Sequence, residues 1–183
     1  MSKFNLKNAI YRWRVRGGFI GILLAIVLAK PDLTSILIGM AISLFGLFIR
    51  TWAAGHLKKE KELTISGPYK YTRNPLYVGN LILGIGAVAG SRSWWMLAFF
   101  SAYFLLFYPV AIKNERERMK KFFPREYEDY KRKVPLFFPS LKPLSSQQKN
   151  KFNRKLYKKN KEYRALIGSV LFWMLMLGKM LLF

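Results

Sequence analysis

Five apolar stretches alternate along the chain with polar segments rich in Lys and Arg. The stretches cover residues 17–29, 33–49, 76–89, 94–112 and 165–183. A helix that crosses a membrane needs about 20 apolar residues, and several of these stretches are shorter. Aromatic residues at their edges, such as Trp52 and Tyr163, extend them into the interfacial layer of the bilayer. The pattern predicts an all-α membrane protein with about five transmembrane helices.

The distribution of charge predicts how these helices are oriented. The chain of 183 residues carries 32 Lys and Arg against 9 Asp and Glu, although 52% of it is hydrophobic. If the amino terminus is cytoplasmic and every stretch crosses once, all the basic residues except Lys30, Arg92 and Lys179 face the cytoplasm. Membrane proteins keep Lys and Arg on that side. Since the amino terminus does not resemble a cleavable signal, we expect a prokaryotic inner membrane rather than the endoplasmic reticulum.

Composition excludes several functional classes. There is no cysteine and only one histidine, His56, which excludes thiol chemistry and a metal site built from several histidines. Residues 149–164 interleave basic and aromatic side chains, as sites for single-stranded nucleic acid do. Anionic lipid head groups explain a basic segment beside a membrane better, since they attract each Lys or Arg by about 1 kcal/mol. We therefore predict anionic lipids as partners, and no nucleic acid.

Turn sequences and composition suggest how the chain is organised. We predict a membrane core over residues 1–140, a basic cytoplasmic linker over 141–162 and a C-terminal transmembrane helix over 163–183. Pro31-Asp32 and Ser91-Arg92-Ser93 are expected to form tight turns between successive helices. Two pairs of glycines spaced by four residues would let helices approach closely. These are Gly17 with Gly21 and Gly86 with Gly90.

The first polar segment of interest, GPYKYTRNPLYVGN, spans residues 67–80. Three of its tyrosines combine an apolar ring with a polar tip and are suited to lining a pocket. They are Tyr69, Tyr71 and Tyr77. Arg73 and Asn74 precede Pro75, where we expect a helix to begin, and the amino end of a helix favours an anion. Arg73 therefore either clamps a bound carboxylate or phosphate, or anchors the helix to lipid phosphates.

The second segment of interest begins with Glu115 and Glu117, at the cytoplasmic end of the fourth apolar stretch. Acidic residues are scarce in this chain, so two of them at a membrane boundary require an explanation. One interpretation is that they accept hydrogen bonds from a bound ammonium group. The other is that they neutralise the neighbouring Lys113, Arg116 and Arg118 on a solvated helix.

Together the two segments resemble a known group of membrane enzymes. Gly67-Pro68-Tyr69 is followed by Arg73-x-Pro75-x-Tyr77-x-Gly79, and some forty residues later by Glu115 ahead of FFPREYEDYKRKVP. This order is similar to that of the isoprenylcysteine carboxyl methyltransferase and phospholipid methyltransferase family, over residues 50–139. The resemblance implies a cytoplasmic pocket for S-adenosyl-L-methionine, built from loop and helix ends, and methyl transfer to a lipid or lipidated small molecule entering from the bilayer.

The resemblance also implies residue roles. Arg73, Asn74 and Glu115 would form the catalytic set. Arg73 and Pro75 match the family's Arg-His-Pro element, and Glu115 matches the first member of its adjacent Glu pair. The expected cofactor-binding residues are Tyr69, Arg73, Asn74, Pro75, Tyr77, Glu115, Glu117, Tyr127 and Tyr130.

Two positions depart from the family pattern. Asn74 stands where the family has His, and Arg116 replaces the second Glu, with Glu117 one place further on. Asparagine still forms hydrogen bonds, but it cannot take up a proton near neutral pH as histidine can. A carboxylate acceptor needs no base, whereas an amine must lose a proton. Either this branch of the family needs no base at position 74, or the site no longer catalyses methyl transfer.

Other interpretations of the sequence remain open. The main alternative is a non-catalytic membrane scaffold that binds anionic lipid or a protein partner through its basic face. A membrane reductase is a further alternative, although the chain lacks a dinucleotide-binding glycine pattern. His56 follows Trp52 and Gly55 at the end of the second stretch, where it contributes either to a substrate site or to a structural hydrogen bond.

Overall fold

A computed structural model describes residues 6–59, 61–145, 148 and 150–182, with side chains from residue 16 onward. These residues form helices and connecting segments, and no strand occurs among them. The helices are α1 (Leu6–Leu28), α2 (Leu33–Ala54), α3 (Pro75–Ser91), α4 (Trp94–Phe122), α5 (Pro124–Lys133), α6 (Arg154–Lys159) and α7 (Tyr163–Leu182), with a short 3₁₀ helix at Gly67–Lys70. Each predicted apolar stretch falls largely within one helix: α1, α2, α3, α4 or α7.

The all-α membrane class predicted from the sequence is confirmed. Helices α2, α4 and α7 are long and apolar enough to cross a membrane, while the apolar parts of α1 and α3 are shorter. Large apolar side chains point outward from the long helices, with Leu105 on α4 70% exposed and Leu171 on α7 55% exposed. Lipid would cover such surfaces. The number of spans, and the side on which the chain starts, remain predictions from the charges.

Helices α2 and α3 meet backbone to backbone along a face of small residues. A Cβ atom added at Gly86 would lie 2.6 Å from the carbonyl oxygen of Gly39, and one at Gly46 would lie 2.8 Å from that of Gly79. Such short distances leave no room for any side chain. The predicted close approach at Gly86 is therefore confirmed, and its partner is α2.

The outer helices pack through aromatic side chains, α7 on the α2–α3 pair and α1 on α4. Trp173 of α7 sits over Gly90 of α3, and a Cβ atom there would be 2.5 Å from its ring. Gly17 and Gly21 of α1 face Tyr103 and Phe99 of α4 in the same way. Three of the four predicted glycines thus contact aromatic rings: Gly17, Gly21 and Gly90. The fourth, Gly86, contacts the backbone of α2.

The two predicted tight turns lie side by side and hold the helices in register. Asp32 caps α2 by accepting a hydrogen bond of 2.7 Å from the backbone N–H of Ser35. The same carboxylate pairs with Arg92, and the N–H of Lys30 donates to the carbonyl of Ser91 at 2.9 Å. The Ser35 N–H is the main cause of a lowered pKa for Asp32. The carboxylate therefore stays ionised, and the cap stays formed, at neutral pH.

The contact between α2 and α3 can be tested with alanine at two glycines. We expect Gly86→Ala to lower the free energy of unfolding by about 1–3 kcal/mol, because the methyl group overpacks the interface. Gly168→Ala on α7 is the control, since a Cβ atom there meets open space. Thermal unfolding in detergent should show a lower midpoint for Gly86→Ala alone, and equal midpoints would contradict backbone contact at Gly86.

Candidate active site

The first polar segment turns sharply before it enters α3. Gly67 has φ +58°, and a Cβ atom there would lie 2.7 Å from the ring of His56, so only glycine fits. The 3₁₀ helix that follows buries Tyr69. Pro75 then occupies the first turn of α3, with Asn74 as the residue before the helix. This path places the backbone of residues 72–74 beside the amino end of α3.

Helix α5 and the segment that follows it lie against the first segment and are joined to it by hydrogen bonds. The phenol of Tyr130 donates to the carbonyl of Tyr69 at 2.7 Å. Burial raises the pKa of Tyr130 well above its usual value, so this donor keeps its proton at neutral pH. The other bonds are Arg73 N–H to the Pro135 carbonyl at 3.0 Å, Asn74 Nδ2 to the Leu136 carbonyl at 2.8 Å and Thr72 Oγ1 to the Phe137 carbonyl at 2.7 Å.

A cavity of about 430 Å³ lies between these segments and helices α2, α3 and α4. Tyr71, also expected to line a pocket, does not line it, but eight of the nine expected cofactor-binding residues do. These are Tyr69, Arg73, Asn74, Pro75, Tyr77, Glu115, Tyr127 and Tyr130. Glu117 does not line it, because two residues along a helix turn a side chain about 200° away from Glu115. The involvement of these residues in binding or catalysis stays a prediction.

Arg73 is the most distinctive group in the cavity. Its Nη1 donates to the phenol of Tyr127 at 3.2 Å, and its guanidinium carbon lies 5.9 Å from the centre of that ring. Its Nε is buried without a hydrogen-bond partner, and no described carboxylate pairs with it. A buried donor without an acceptor is costly. The arrangement therefore suits an anionic ligand that brings its own acceptor oxygens.

The two glutamates at the end of α4 both pair with neighbouring arginines. Glu115 receives two hydrogen bonds of 2.9 Å from Nη2 of Arg118, and it is about one-third exposed. Glu117 lies 3.4 Å from Nε of Arg116 and points away from the cavity. Charge neutralisation on the helix thus accounts for both carboxylates as they stand. Glu115 alone is also placed to meet a ligand in the cavity.

Sequence reasoning missed a buried ion pair in the cavity wall. Nε of Arg50 on α2 donates to Oε1 of Glu162 at 2.6 Å, and Nη1 donates to Oδ1 of Asn80 on α3. A cation directly at the end of an apolar stretch and an amide inside one are unusual unless paired, so Arg50 and Asn80 could have been found from their positions. Nothing local marks Glu162 within a strongly basic segment.

The structure assigns His56 to packing. Its Nδ1 donates to the carbonyl of Trp52 at 2.9 Å, and its ring lies edge-on to Phe152. His56 is buried and does not line the cavity. The geometry thus favours the structural hydrogen bond over a place in a substrate site.

Comparison with known proteins identifies the family. A sequence profile of the phospholipid methyltransferase family matches residues 33–126, just over half of the chain. The chain belongs to this family. The matched region runs from α2 into α5 and contains Arg73 and Glu115, whereas Glu162 and α7 lie outside it. The resemblance stated from the motifs is confirmed.

The individual relatives carry two kinds of name, metal resistance protein and methyltransferase. Over 100 residues the chain is 37% identical to the nickel-cobalt-cadmium resistance protein NccN of Alcaligenes xylosoxydans xylosoxydans, covering 54% of this chain and 46% of that protein. Over 113 residues it is 38% identical to the cobalt-zinc-cadmium resistance protein CzcN of Cupriavidus metallidurans, covering 60% and 50%. The protein-S-isoprenylcysteine O-methyltransferase of Schizosaccharomyces pombe is 31% identical over 86 residues, covering 47% and 36%.

The chain thus spans about half or less of the length of these curated relatives. No solved structure matches it. Among the described residues, no group of three or more His, Cys, Asp or Glu side chains is arranged to hold a metal ion.

Asn74 offers a test of how the two segments are joined. Asn74→Asp keeps the shape of the side chain but replaces the donor to Leu136 with an acceptor, so we expect residues 135–138 to separate from the first segment. Hydrogen exchange measured by mass spectrometry should rise in that stretch. Asn114→Asp on α4, which takes part in none of these bonds, is the control. Unchanged exchange in Asn74→Asp would show that the amide does not hold the segment.

Proposed function

We propose that this protein transfers a methyl group from S-adenosyl-L-methionine to a lipid or lipid-borne acceptor at the cytoplasmic face of the membrane. The proposal rests on Arg73, whose buried Nε lacks a partner in a cavity that several tyrosine rings and Glu115 also line. Membership of the phospholipid methyltransferase family supports it, as does the similarity to a relative named as a methyltransferase.

The residues of the cavity fit the chemical groups of this cofactor. S-adenosyl-L-methionine supplies an electrophilic methyl group on a sulfonium, together with a carboxylate and an ammonium group. Arg73 would bind the carboxylate through its unpartnered donor. Glu115 would accept from the ammonium group, giving up part of its contact with Arg118. The rings of Tyr69, Tyr77 and Tyr127 would stabilise the positive sulfur through cation–π contacts.

Positioning and exclusion of water are the main tasks of a site for methyl transfer. Asn74 is not placed to act as a base, because its amide already donates to the carbonyl of Leu136. The only histidine, His56, lies outside the cavity. The cavity therefore supplies no base, and the acceptor must arrive ready to react, as an ionised carboxylate or as an amine that has lost its proton to solvent.

The acceptor would approach along α4. Tyr103 and Tyr108 line the cavity and continue as an aromatic row through Phe104, whose ring lies 4.1 Å from that of Tyr108. This row leads from the polar site towards the apolar surface of the helix, where Leu105 and Leu106 are exposed. A lipid chain would follow it while the head group reaches the cavity. We propose that this site faces the cytoplasm at a prokaryotic inner membrane, with anionic lipids around the basic α6.

Binding of S-adenosyl-L-methionine to the purified protein, measured by calorimetry, tests the proposal. Arg73→Ala should weaken binding by about tenfold or more, since a hydrogen bond to a charged group contributes about 1.5–3 kcal/mol. Glu117→Gln is the control, because that side chain faces away from the cavity. Equal affinity of Arg73→Ala and the unaltered protein would remove Arg73 from the cofactor site. Absence of binding by the folded, unaltered protein would favour the non-catalytic scaffold.

The relatives named as metal resistance proteins motivate a second candidate function. We propose that methyl transfer by this protein alters a membrane lipid and so contributes to resistance, since no described cluster of side chains is suited to hold the metal itself. In a cobalt-sensitive bacterium, expression of the unaltered protein should raise the inhibitory cobalt concentration, and Arg73→Ala should not. Equal protection by both would show that protection does not depend on the proposed cofactor site.

A further inference from the structure

The ion pair between Arg50 and Glu162 lies in the wall of the proposed cofactor cavity. Both residues line it, and their side chains are only 15% and 7% exposed. The guanidinium also donates to Asn80 from the opposite helix, so it is held on two sides. Burying two charges carries a large desolvation cost, and an apolar pair of similar volume would often be as stable. The pair therefore contributes little to stability, whereas Glu162 cancels the charge of Arg50 in the cavity wall.

The turn between α6 and α7 positions Glu162. Nδ2 of Asn160 donates to the carbonyls of Ala54 and Leu57, at 2.9 Å each, where α2 ends. Lys161 then adopts a left-handed conformation with φ +56°. These features fix the backbone on either side of Glu162 against the end of α2, which is where Arg50 also lies. The carboxylate thus reaches Arg50 from a segment outside the region that matches the family profile.

Pairing neutralises almost every cation around the cavity. Arg50 pairs with Glu162, Lys58 with Glu62 at 2.9 Å, Arg118 with Glu115 at 2.9 Å, and Arg116 with Glu117 at 3.4 Å. Lys59 is exposed. Arg73 is the one cation among the described lining residues that is neither exposed nor paired with a carboxylate. The Nε of Arg116 is also buried without a hydrogen bond, but Glu117 balances its charge, so Arg73 is the group best placed to bind an anion.

We propose that Glu162 is a specificity-determining residue, which cancels the charge of Arg50 so that the cavity accepts no second anion. The inference rests on the proposed function: with the cofactor's carboxylate on Arg73 and Arg50 held by Glu162, the wall offers an anionic acceptor no free cation, which favours an uncharged reacting group such as a free amine. An anionic acceptor would have to displace Glu162 from Arg50. That exchange would leave a buried carboxylate without a counter-charge, which is strongly unfavourable.

Octanoate is a suitable probe, because it combines a carboxylate with a chain that the aromatic row can take. Calorimetry on the full chain in zwitterionic detergent, with S-adenosyl-L-methionine at saturation, should show no octanoate binding to the unaltered protein beyond that to detergent. Glu162→Gln keeps the shape and an acceptor oxygen but frees the charge of Arg50. We expect it to bind octanoate about tenfold more tightly or better, as a charge-assisted hydrogen bond allows.

Two further variants serve as controls. Arg50→Met combined with Glu162→Met removes both charges and should return octanoate binding to the background level. Arg50→Met alone is the mirror test, usable even if Glu162→Gln does not fold. It leaves Glu162 without its cation, so octylammonium should bind about tenfold more tightly than to the unaltered protein.

The proposal is overturned if the unaltered protein, saturated with the cofactor, binds octanoate as tightly as Glu162→Gln does. It is also overturned if neither single variant gains affinity for its probe. Failure of the proposed function would look different, because the cofactor itself would not bind. In that case the number of octanoate sites still decides the question, with one expected in the unaltered protein and two in Glu162→Gln.

Discussion

The cavity exists because two polar backbone segments satisfy each other's hydrogen-bonding groups at the edge of an apolar helix bundle. The N–H of Arg73 donates to the carbonyl of Pro135, and the N–H of Ser140 donates to the carbonyl of Tyr71 at 2.8 Å. Beside lipid, an unpaired backbone N–H or C=O group finds little water to hydrogen-bond with. Such segments are therefore stable only when their backbone groups bond to each other. The resulting layer of paired backbone holds Arg73, Tyr127 and Tyr130 over the ends of α3 and α4.

The close contact of α2 and α3 fixes the other wall of the cavity. Gly46 and Gly79 bring the two backbones together, and one turn further on Arg50 and Asn80 meet. With larger residues at the glycines, the helices would stand further apart and the guanidinium would not reach the amide. Small residues in the apolar layer therefore determine the polar geometry a few ångströms away. The glycine contact and the bond from Arg50 to Asn80 thus share the same face of α2.

Sequence alone predicted what is local and missed what is distant. The helices and the turns at Asp32 and Arg92 follow from composition and from turn-forming residues. The motif around Arg73 also marked residues that line a single cavity, since a proline that begins a helix fixes its surroundings within a few residues. The contact of Arg50 with Glu162 joins positions 112 residues apart, and no local pattern carries that information. Glu117 lies two residues after Glu115 in the sequence, but the helical turn separates their side chains.

The packing of α7 has a consequence for the order in which the protein matures. Trp173 fills the notch above Gly39 and Gly90, and Glu162 precedes α7 by a single residue. Both follow α2 and α3 in the sequence and are therefore synthesised later. Until then, α2 and α3 stand in the bilayer with an open notch and an uncompensated arginine. Insertion of α7 is thus the step that closes this notch and brings Glu162 to the arginine.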